Sequence, residues 1–442
     1  MRRTSGGGRR RLIVEFINQI LVGDVINRLR ELPDECVHTV VTSPPYWGLR
    51  DYGMPGQIGL EATPELFVER MVNVFREVRR VLRKDGTLWL NIGDSYVTGS
   101  AGPGSSAGST LQGSTAGQDE SKKAKGHSFR RDRLERQDDP HKVAPGLKAK
   151  DLVLMPARLA LALQADGWWV RMDCIWAKPN PMPESITDRP TKSHEYLFLL
   201  SRSERYFYDN EAVREKSLTC DPRRPYGSEG SWQLDGRPPE QRHGGKVRSP
   251  AGWRTDKGSH GSVHPEGREQ EVLYNEIDVT KRNLRSVWSI ATEAYPDAHF
   301  ATFPQKLVEP CILAGTSEGG CCVHCGSPYR REVEVQYENP GNRSPNGDRS
   351  KERKHLEHGT AGYDVRLERR STTKGWKQTC DCPGMGIKPK AAVVLDPFMG
   401  SGTTALVALR ARRDFVGIEL NPAYAELARK RIEPELSQLK LC

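Results

Sequence analysis

Residues 391–422 read AAVVLDPFMGSGTTALVALRARRDFVGIELNP, and their alternation of strands and helices identifies the fold class. An apolar strand at 391–395 leads through a glycine-rich turn into a helix at 403–412. A second strand at 414–420 follows, and Pro422 then starts another helix. Apolar strands that alternate with helices are typical of a parallel sheet with helices on both faces. The sequence therefore predicts an α/β fold built on a mostly parallel, doubly wound sheet.

The same alternation continues in the other apolar stretches. It predicts, in chain order, a short helix after Asp24, a strand at 37–42, a helix that starts at Thr63-Pro64 and stops before Asp85-Gly86, a strand at 87–92, a helix from Pro156, and strands at about 168–177 and 196–201. Thr63 suits the N-cap of its helix, and Pro64 suits the first turn. These elements would extend the sheet of the C-terminal stretch.

Three polar inserts interrupt the 442-residue chain, in which only 36% of residues are hydrophobic. The apolar residues concentrate in four segments, 12–98, 151–212, 286–316 and 389–436. The inserts between them are 99–150, 213–285 and 317–388. The first insert begins as a Gly/Ser-rich tract with too few large apolar side chains to form a core, so we expect it to be flexible.

The composition excludes several classes of protein. Because no run of about 18 apolar residues is present, we expect no membrane-spanning helix. The Arg- and Gly-rich start, 1–11, lacks the apolar core of a secretory signal. Ten cysteines are too few for a disulfide scaffold in a chain of this length. We therefore expect a cytoplasmic protein, and the net charge of +10 points weakly to a polyanionic partner.

The turn 396–404, DPFMGSGTT, has the features of a ligand-binding loop. Gly400 and Gly402 carry no side chain where the backbone would approach a ligand, and the next helix directs its N-terminal amides toward it. Glu419 ends the following strand, where a carboxylate can accept hydrogen bonds from both hydroxyls of a ribose. The sequence has neither the GxGxxG spacing of dinucleotide sites nor the Gly-Lys of triphosphate loops, which disfavours NAD and ATP. A tight turn before a capped helix is the structural alternative.

A second motif, TSPPYW at 42–47, directly follows the predicted strand at 37–42. Its two prolines fix φ and leave the preceding carbonyls free as acceptors. The turn would present the Ser43 hydroxyl, bare carbonyls and the Tyr46 ring at the carboxyl end of a strand. Such a surface suits a flat ring that bears an exocyclic amino group. A turn with core aromatics is the alternative.

Together the two motifs resemble the DNA amino-methyltransferases that use S-adenosylmethionine, the N4-cytosine/N6-adenine family of restriction–modification systems and phages. TSPPYW is similar to the family's catalytic motif, DPFMGSGTT to its methionine-binding motif, and GIELNP to its acidic motif. The catalytic motif comes first in the chain, which is the permuted order of the beta group. Further similarity lies in 64–94, 176–200 and 299–312. The resemblance implies a Rossmann-like, circularly permuted methyltransferase fold.

The resemblance also implies a mechanism and a set of site residues. A base flipped from the duplex would lie beside Tyr46, and hydrogen bonds from its amino group to Ser43 and to the Pro44 carbonyl would free the nitrogen lone pair to attack the sulfonium methyl. The implied catalytic residues are Ser43, Pro44, Pro45 and Tyr46. The implied cofactor-binding residues are Asp24, Asp396, Phe398, Gly400, Gly402, Thr403, Thr404, Glu419 and Asn421, with Glu419 on the ribose. For Asp24, a plain helix N-cap is an equal alternative.

The implied roles divide the apolar segments between two halves of one catalytic domain. Segments 12–98 and 151–212 would form the catalytic half, and 286–316 with 389–436 would form the cofactor-binding half.

The motifs leave two possible targets, the N4 amino group of cytosine and the N6 amino group of adenine. In this family SPPY is commoner among N4-cytosine enzymes, and DPPY among N6-adenine enzymes. Ser43 offers a neutral acceptor, whereas an aspartate would offer a carboxylate with a stronger hold on the amino protons. We therefore favour cytosine N4 and keep adenine N6 as the alternative.

Four cysteines of the third insert have the spacing of a zinc site. A CxxC pair and a CxC pair are separated by 54 residues, and two short-spaced thiolate pairs are typical of a closed structural zinc. The predicted ligands are Cys322, Cys325, Cys380 and Cys382. Cys321 or His324 is an alternative ligand, and two reduced surface turns are the alternative to a metal site. A zinc knuckle here would either touch DNA or stabilise the fold.

Sequence recognition is expected from the insert 213–285. It combines 14 Lys/Arg with four aromatic residues and glycine-rich turns, a surface suited to phosphates and base edges. A solvated loop is the alternative. The basic run 122–136 is either a nonspecific phosphate contact or a solubilising tether.

Double-stranded DNA is the expected partner, and no membrane is. We expect the protein in a bacterial or phage-infected cell, while a cognate restriction endonuclease and the oligomeric state stay open. A catalytically inactive, zinc-containing DNA-binding protein is the alternative from another class, and the intact motifs argue against it. RNA is a minor alternative substrate, since a fold does not identify the polymer.

Overall fold

The computed structural model describes residues 13–97, 146–216, 281–293, 303–338, 368–383 and 387–439. Over these residues the elements are, in chain order, a 3₁₀ turn (Ile13–Glu15), β1 (Gln19–Val22), α1 (Val25–Glu31), β2 (Val37–Thr42), α2 (Pro64–Val81), β3 (Leu82–Ile92), α3 (Met155–Ala165), β4 (Trp169–Ala177), β5 (His194–Ser201), β6 (Glu215–Lys216), β7 (Lys281–Arg282), β8 (Val287–Ser289), α4 (Gln305–Gly315), β9 (Arg330–Glu338), β10 (Glu368–Lys377), β11 (Val393–Asp396), α5 (Thr403–Arg410), β12 (Asp414–Glu419) and α6 (Pro422–Leu439).

An eight-stranded sheet of order β1-β12-β11-β2-β3-β5-β4-β8 organises the fold. Each neighbouring pair from β1 to β3 is parallel. β5 runs antiparallel to both of its neighbours, β3 and β4, and β8 is parallel to β4. The prediction of an α/β fold with a mostly parallel sheet is therefore confirmed, with β5 as the exception.

Helices cover both faces of this sheet. The side chains of each strand alternate between the faces, so apolar residues from one strand contribute to a core on each side. Val40 of β2 packs in the core formed with α1, α2 and α3, whereas Val41 packs in the core formed with α4, α5 and α6. β3 shows the same alternation, since Leu88 and Leu90 join the first core and Trp89 joins the second. A strand buried on both faces reads as a near-continuous apolar run, which is why β2 was recognisable in the sequence.

Helix caps lie where the sequence predicts them. The Thr63 side chain accepts a hydrogen bond from the Leu66 amide at the start of α2, and Asp24 accepts from the Asn27 amide at the start of α1. The strand predicted at 87–92 begins earlier, at Leu82. A shift of register between the first pair, Val37 with Leu82, and the next, Thr39 with Thr87, bulges the early part of β3.

The chain divides into two compact units, one comprising Met1–Arg214, Asn283–Val335 and Ser371–Cys442, the other Glu215–Arg282 and Gln336–Arg370. The eight-stranded sheet belongs to the first unit. In the second, β6 and β7 pair antiparallel. Elsewhere β9 and β10 form a two-stranded sheet.

Most of the inserts predicted at 99–150 and 213–285 lie outside the described residues, as does the basic run 122–136. Within the described segments, no helix combines the length and apolarity needed to cross a membrane.

Candidate active site

A cavity of about 570 Å³ opens at the carboxyl edge of the parallel strands. In parallel strands these ends meet at one edge of the sheet, so segments far apart in the chain become neighbours. The cavity is lined by the turns after β1, β2 and β11 and by the end of β12. The SPPY turn and the glycine-rich turn therefore face a shared space.

All four residues of the predicted catalytic motif, Ser43 to Tyr46, line this cavity. The Tyr46 hydroxyl donates a hydrogen bond to Glu195 Oε2 at 2.7 Å, and Asn91 Oδ1 lies 3.3 Å from the same hydroxyl oxygen. Ser43 Oγ lies 3.5 Å from the same hydroxyl and donates to it. Burial, followed by the charge of Glu195, raises the pKa of Tyr46 well above its usual value of 10.0, so the phenol stays protonated.

Gly93, just after β3, gives the Tyr46 ring its room. A Cβ at Gly93 would lie 2.6 Å from Cε2 of Tyr46, a distance that real side chains do not tolerate. The glycine therefore allows the aromatic ring to pack directly on the backbone that follows β3.

The hydrogen-bond partners of Tyr46 are residues that the sequence analysis did not single out. Glu195 in β5 is buried, and its second oxygen pairs with the ammonium of Lys178, which follows β4. Asn91 in β3 donates to Glu195 Oε2 at 3.2 Å. Both Lys178 and Glu195 lie in the segment 176–200 that resembles the family, yet their contact with Tyr46 depends on strand order, which residue spacing does not encode.

Glu419 joins the acidic strand end to the glycine-rich turn. Its Oε2 accepts the Gly400 amide at 2.8 Å and its Oε1 accepts the Asn421 amide at 2.8 Å. Burial raises the pKa of Glu419 despite these hydrogen bonds. A carboxylate has about four acceptor positions, and the hydrogen bonds from the amides of Gly400, Leu420 and Asn421 leave one for a ligand hydroxyl in the cavity.

The two glycines of the turn serve different purposes. Both have positive φ, 51° at Gly400 and 81° at Gly402. Gly400 lines the cavity, and a Cβ there would have no neighbour nearer than the Phe398 carbonyl oxygen at 4.0 Å. At Gly402, by contrast, a Cβ would meet the Ala428 Cβ at 2.9 Å. Gly402 is therefore needed for the close approach of α5 and α6, and its contact with cofactor stays a prediction.

Asp396 and Thr404, both predicted to bind cofactor, lie behind the cavity wall. Asp396 is fully buried, and its oxygens accept from the Thr42 hydroxyl at 2.7 Å, the Thr404 hydroxyl at 2.7 Å and the Phe398 amide at 3.0 Å. These bonds tie the ends of β2 and β11 to the start of α5. Both side chains thus support the turn without facing the cavity.

We expect Asp396 to make stability depend on pH. Burial raises its pKa to about 6, so between pH 3.8 and 6 the folded protein binds more protons than the unfolded chain and loses stability as pH rises. Between pH 5 and pH 7.5 the wild type should therefore lose about 1.4 kcal/mol of unfolding free energy through this group. Asp396→Asn does not titrate and should not show this loss. Urea unfolding of both proteins at the two pH values measures this, and a difference independent of pH would contradict it.

The other predicted cofactor residues line the cavity, namely Asp24, Phe398, Thr403 and Asn421. Asp24 does so while it caps α1, so both roles considered for it are compatible. Two aromatic residues that the sequence did not single out, Tyr52 and Tyr424, also line the wall near Glu419.

A family model described as DNA methylase, of the N6/N4 type, matches residues 37–326 and 386–430, which is more than half of the chain. The chain belongs to the DNA methylase family. The two matched segments contain the SPPY turn and the glycine-rich turn, the two parts of the cavity described above. The methylase is therefore an amino-methyltransferase of the N4/N6 class, and the family resemblance of its motifs is confirmed.

Named relatives are similar over nearly the whole methylase. It is 34% identical to the Type II methyltransferase M.Cfr9I of Citrobacter freundii over 93% of this chain and 87% of that protein. Its identity to the Type II methyltransferase M.SmaI of Serratia marcescens is also 34%, over 94% and 90% of the two chains. Among solved structures, PvuII DNA methyltransferase (cytosine-N4-specific) aligns over 94% of this chain and 88% of its own, with a TM-score of 0.44 and 14% identity.

A cluster of four cysteines forms a second site in the same compact unit of the methylase. The sulfur atoms of the predicted ligands lie within 4.8 Å of one another. These residues are Cys322, Cys325, Cys380 and Cys382, and all four are free of disulfides. Burial opposes ionisation of Cys325, but hydrogen bonds with Ser327 and with neighbouring thiols outweigh it and lower its pKa to about 6.

The cysteine cluster is attached to the amino ends of the sheet strands, opposite the edge that carries the cavity. His38 of β2 donates from Nε2 to the Gly326 carbonyl at 2.9 Å, and its Nδ1 accepts from the Val393 amide of β11. Arg83 of β3 donates to the Cys325 carbonyl at 2.6 Å. Burial lowers the pKa of His38 to about 4, so the ring is neutral and keeps both bonds at pH 7.

Proposed function

We propose that the methylase transfers a methyl group from S-adenosylmethionine to the N4 amino group of a cytosine flipped out of duplex DNA. The observation that carries this proposal is the shared cavity, in which the SPPY turn faces the glycine-rich turn and Glu419. One wall offers acceptors and an aromatic ring for a base, and the other offers amides and a carboxylate for a nucleoside cofactor.

In this proposal the cavity residues hold the cofactor and the target base in place and form hydrogen bonds with them. Glu419 and the Gly400 region would hold the ribose and the methionine part of the cofactor, which supplies an electrophilic methyl group when bound. Ser43 Oγ and the Pro44 carbonyl would accept hydrogen bonds from the two amino hydrogens, which frees the nitrogen lone pair. Tyr46 would stack on the base. Alignment of the lone pair with the methyl group is then the main catalytic contribution.

Cytosine is favoured over adenine by the residue at the first position of the turn. Ser43 is a neutral acceptor, and no carboxylate replaces it within the turn itself. The N4/N6 family contains enzymes for both bases, so adenine N6 is the alternative outcome of the test.

Single-molecule sequencing of genomic DNA from cells that express the protein tests this function. We expect N4-methylcytosine at a defined sequence motif, at a much lower level in cells that express Tyr46→Ala. N6-methyladenine at a motif would show that the target base is adenine. Unmodified DNA from cells with folded protein would contradict the proposed activity.

We also propose that the fold is circularly permuted and that the protein serves in restriction–modification. β2, which leads into the SPPY turn, precedes β11 and β12 in the chain although it lies beside β11 in the sheet. The relatives named above are Type II methyltransferases, which favours a cognate endonuclease as partner. Target recognition by 213–285 stays a prediction, because that insert lies almost wholly outside the described residues.

The cysteine cluster supports a structural zinc. With zinc–sulfur bonds of about 2.3 Å, the sulfurs of a tetrahedral site lie about 3.8 Å apart, a spacing compatible with this cluster. Four thiolates fill such a site and leave no position for a substrate. Because His38 and Arg83 attach the cluster to β2 and β3, we propose that the zinc stabilises the sheet and takes no part in the chemistry.

Loss of the zinc should lower thermal stability. We expect about one zinc per purified chain, and a fall in the unfolding midpoint on the order of 10 °C in Cys322→Ser, as several kcal/mol of binding energy are lost. Elemental analysis and thermal unfolding measure these effects. Cys36→Ser, outside the cluster, should retain the metal, whereas full stability of metal-free Cys322→Ser would contradict the structural role.

A further inference from the structure

Methyl transfer to an amino group releases one proton, and the SPPY turn contains no carboxylate that could take it. The Ser43 hydroxyl is neutral and cannot hold an extra proton at pH 7. A base connected to Ser43 would accept this proton, and the hydrogen bonds of the cavity lead to one.

A chain of hydroxyls connects Ser43 to a buried carboxylate. Ser43 Oγ donates to Tyr46 Oη at 3.5 Å, and Tyr46 Oη donates to Glu195 Oε2 at 2.7 Å. Both bonds have the same direction, so a proton that arrives at Ser43 can be relayed to Glu195. The first bond is long, as hydrogen bonds of free enzymes often are before substrate tightens the site.

The other carboxylates that line the described part of the cavity have different partners. They are Asp24, Asp94, Glu184, Glu293 and Glu419. Four of them accept from backbone amides, and Glu184 pairs with Arg189. None of the five is hydrogen-bonded to Ser43 or Tyr46 within the described residues, which leaves Glu195 as the carboxylate connected to the reacting end.

We propose that Glu195 is the terminal proton acceptor of the methyl transfer, reached through the hydroxyls of Ser43 and Tyr46. This inference rests on the proposed function. The amino nitrogen forms a bond to the methyl carbon, the carbon–sulfur bond breaks, and its electron pair stays on sulfur as a neutral thioether. The nitrogen, now cationic, gives a proton to Ser43 as the Ser43 proton moves to Tyr46 and the Tyr46 proton moves to Glu195. The products are the neutral methylamino base and a protonated Glu195.

The surroundings of Glu195 suit this task. Lys178 pairs with its other oxygen, and Asn91 donates to the oxygen that Tyr46 also contacts, so the carboxylate is held in a fixed orientation before the reaction. The ammonium of Lys178 is itself fixed 4.4 Å over the ring of Trp176. Because Ser43 donates its proton in the hydrogen bond to Tyr46, the lone pairs of Ser43 Oγ can accept hydrogen bonds from the amino group.

Single-turnover methyl transfer tests the relay, with labelled S-adenosylmethionine, unmethylated genomic DNA and enzyme in excess over sites. Glu195→Gln keeps an acceptor that can position Tyr46 but removes the base, and Tyr46→Phe keeps the ring but removes the relay hydroxyl. We expect each to slow transfer roughly 100-fold, the range of general base catalysis, with cofactor affinity near wild type. The double variant should be no slower than the slower single variant, because both changes break the same chain.

Glu77→Gln on α2 is the matched control, since Glu77 also pairs with a cation, Arg80, but lies outside the cavity. It should transfer methyl groups at the wild-type rate. Glu195→Gln or Tyr46→Phe within twofold of wild type would overturn the relay, as would losses that multiply in the double variant. Either variant suffices if the other fails to fold. An inactive wild type would instead refute the proposed function, so the two failures are distinguishable.

Discussion

Replacement of Tyr46 by alanine is expected to slow methyl transfer by at least about 100-fold, with little change in affinity for S-adenosylmethionine. Stacking of a base on an aromatic ring contributes about 1–3 kcal/mol, and alanine also removes the hydroxyl that contacts Glu195. Glu419 and Gly400 are untouched by the change, because they belong to the other wall of the cavity. Single-turnover kinetics and calorimetric titration of the cofactor measure the two effects separately.

Trp169→Ala provides the control for Tyr46→Ala, because this exposed aromatic side chain on β4 lies outside the cavity. It should leave both quantities near wild type. Unchanged turnover in Tyr46→Ala would contradict the assigned role of its ring, and a large loss of cofactor affinity would show that the two walls are not independent.

Glu419→Gln is expected to weaken cofactor binding by roughly 30- to 1000-fold, which corresponds to about 2–4 kcal/mol from lost charge-assisted hydrogen bonds. The amide has one acceptor oxygen where the carboxylate has two, and Glu419 uses both to hold the Gly400 and Asn421 amides. The substituted side chain would aim an N–H group at one of these donors. The glycine-rich turn and the ribose contact should therefore be disturbed together.

Calorimetric titration with S-adenosylmethionine measures this loss directly. Glu433→Gln makes the same chemical change at an exposed position of α6 and should bind cofactor as wild type does. Wild-type affinity in Glu419→Gln would show that the carboxylate neither orders the turn nor contacts the cofactor.

The sequence predicted those parts of the fold that depend on local patterns. β2, α2 and β12 carry apolar periodicity and capping residues that are legible in one segment at a time. The antiparallel direction of β5 was not predictable in this way, because a buried strand reads the same in either orientation. The early start of β3 was also missed, since its first residues form an irregular, polar bulge.

Some residues of the candidate site are predictable from local sequence patterns, and others come together only through the tertiary fold. The SPPY turn, Glu419 and the cysteine pairs could be proposed as site residues from the sequence, because residue type and spacing carry their chemistry. Glu195 could not be found, because its contact with Tyr46 spans 149 residues and arises only when β5 pairs beside β3. Gly402 shows the opposite case, a motif residue whose positive φ and close neighbour Ala428 give it a packing role.

Nucleoside analysis of DNA methylated by the purified protein tests the central claim most directly. Duplex DNA would be incubated with labelled S-adenosylmethionine, digested to nucleosides and examined by mass spectrometry. The labelled product should be N4-methyldeoxycytidine, and Tyr46→Ala should form far less of it than the wild type in the same time. Label in N6-methyldeoxyadenosine, or in no nucleoside although cofactor binds, would contradict the account.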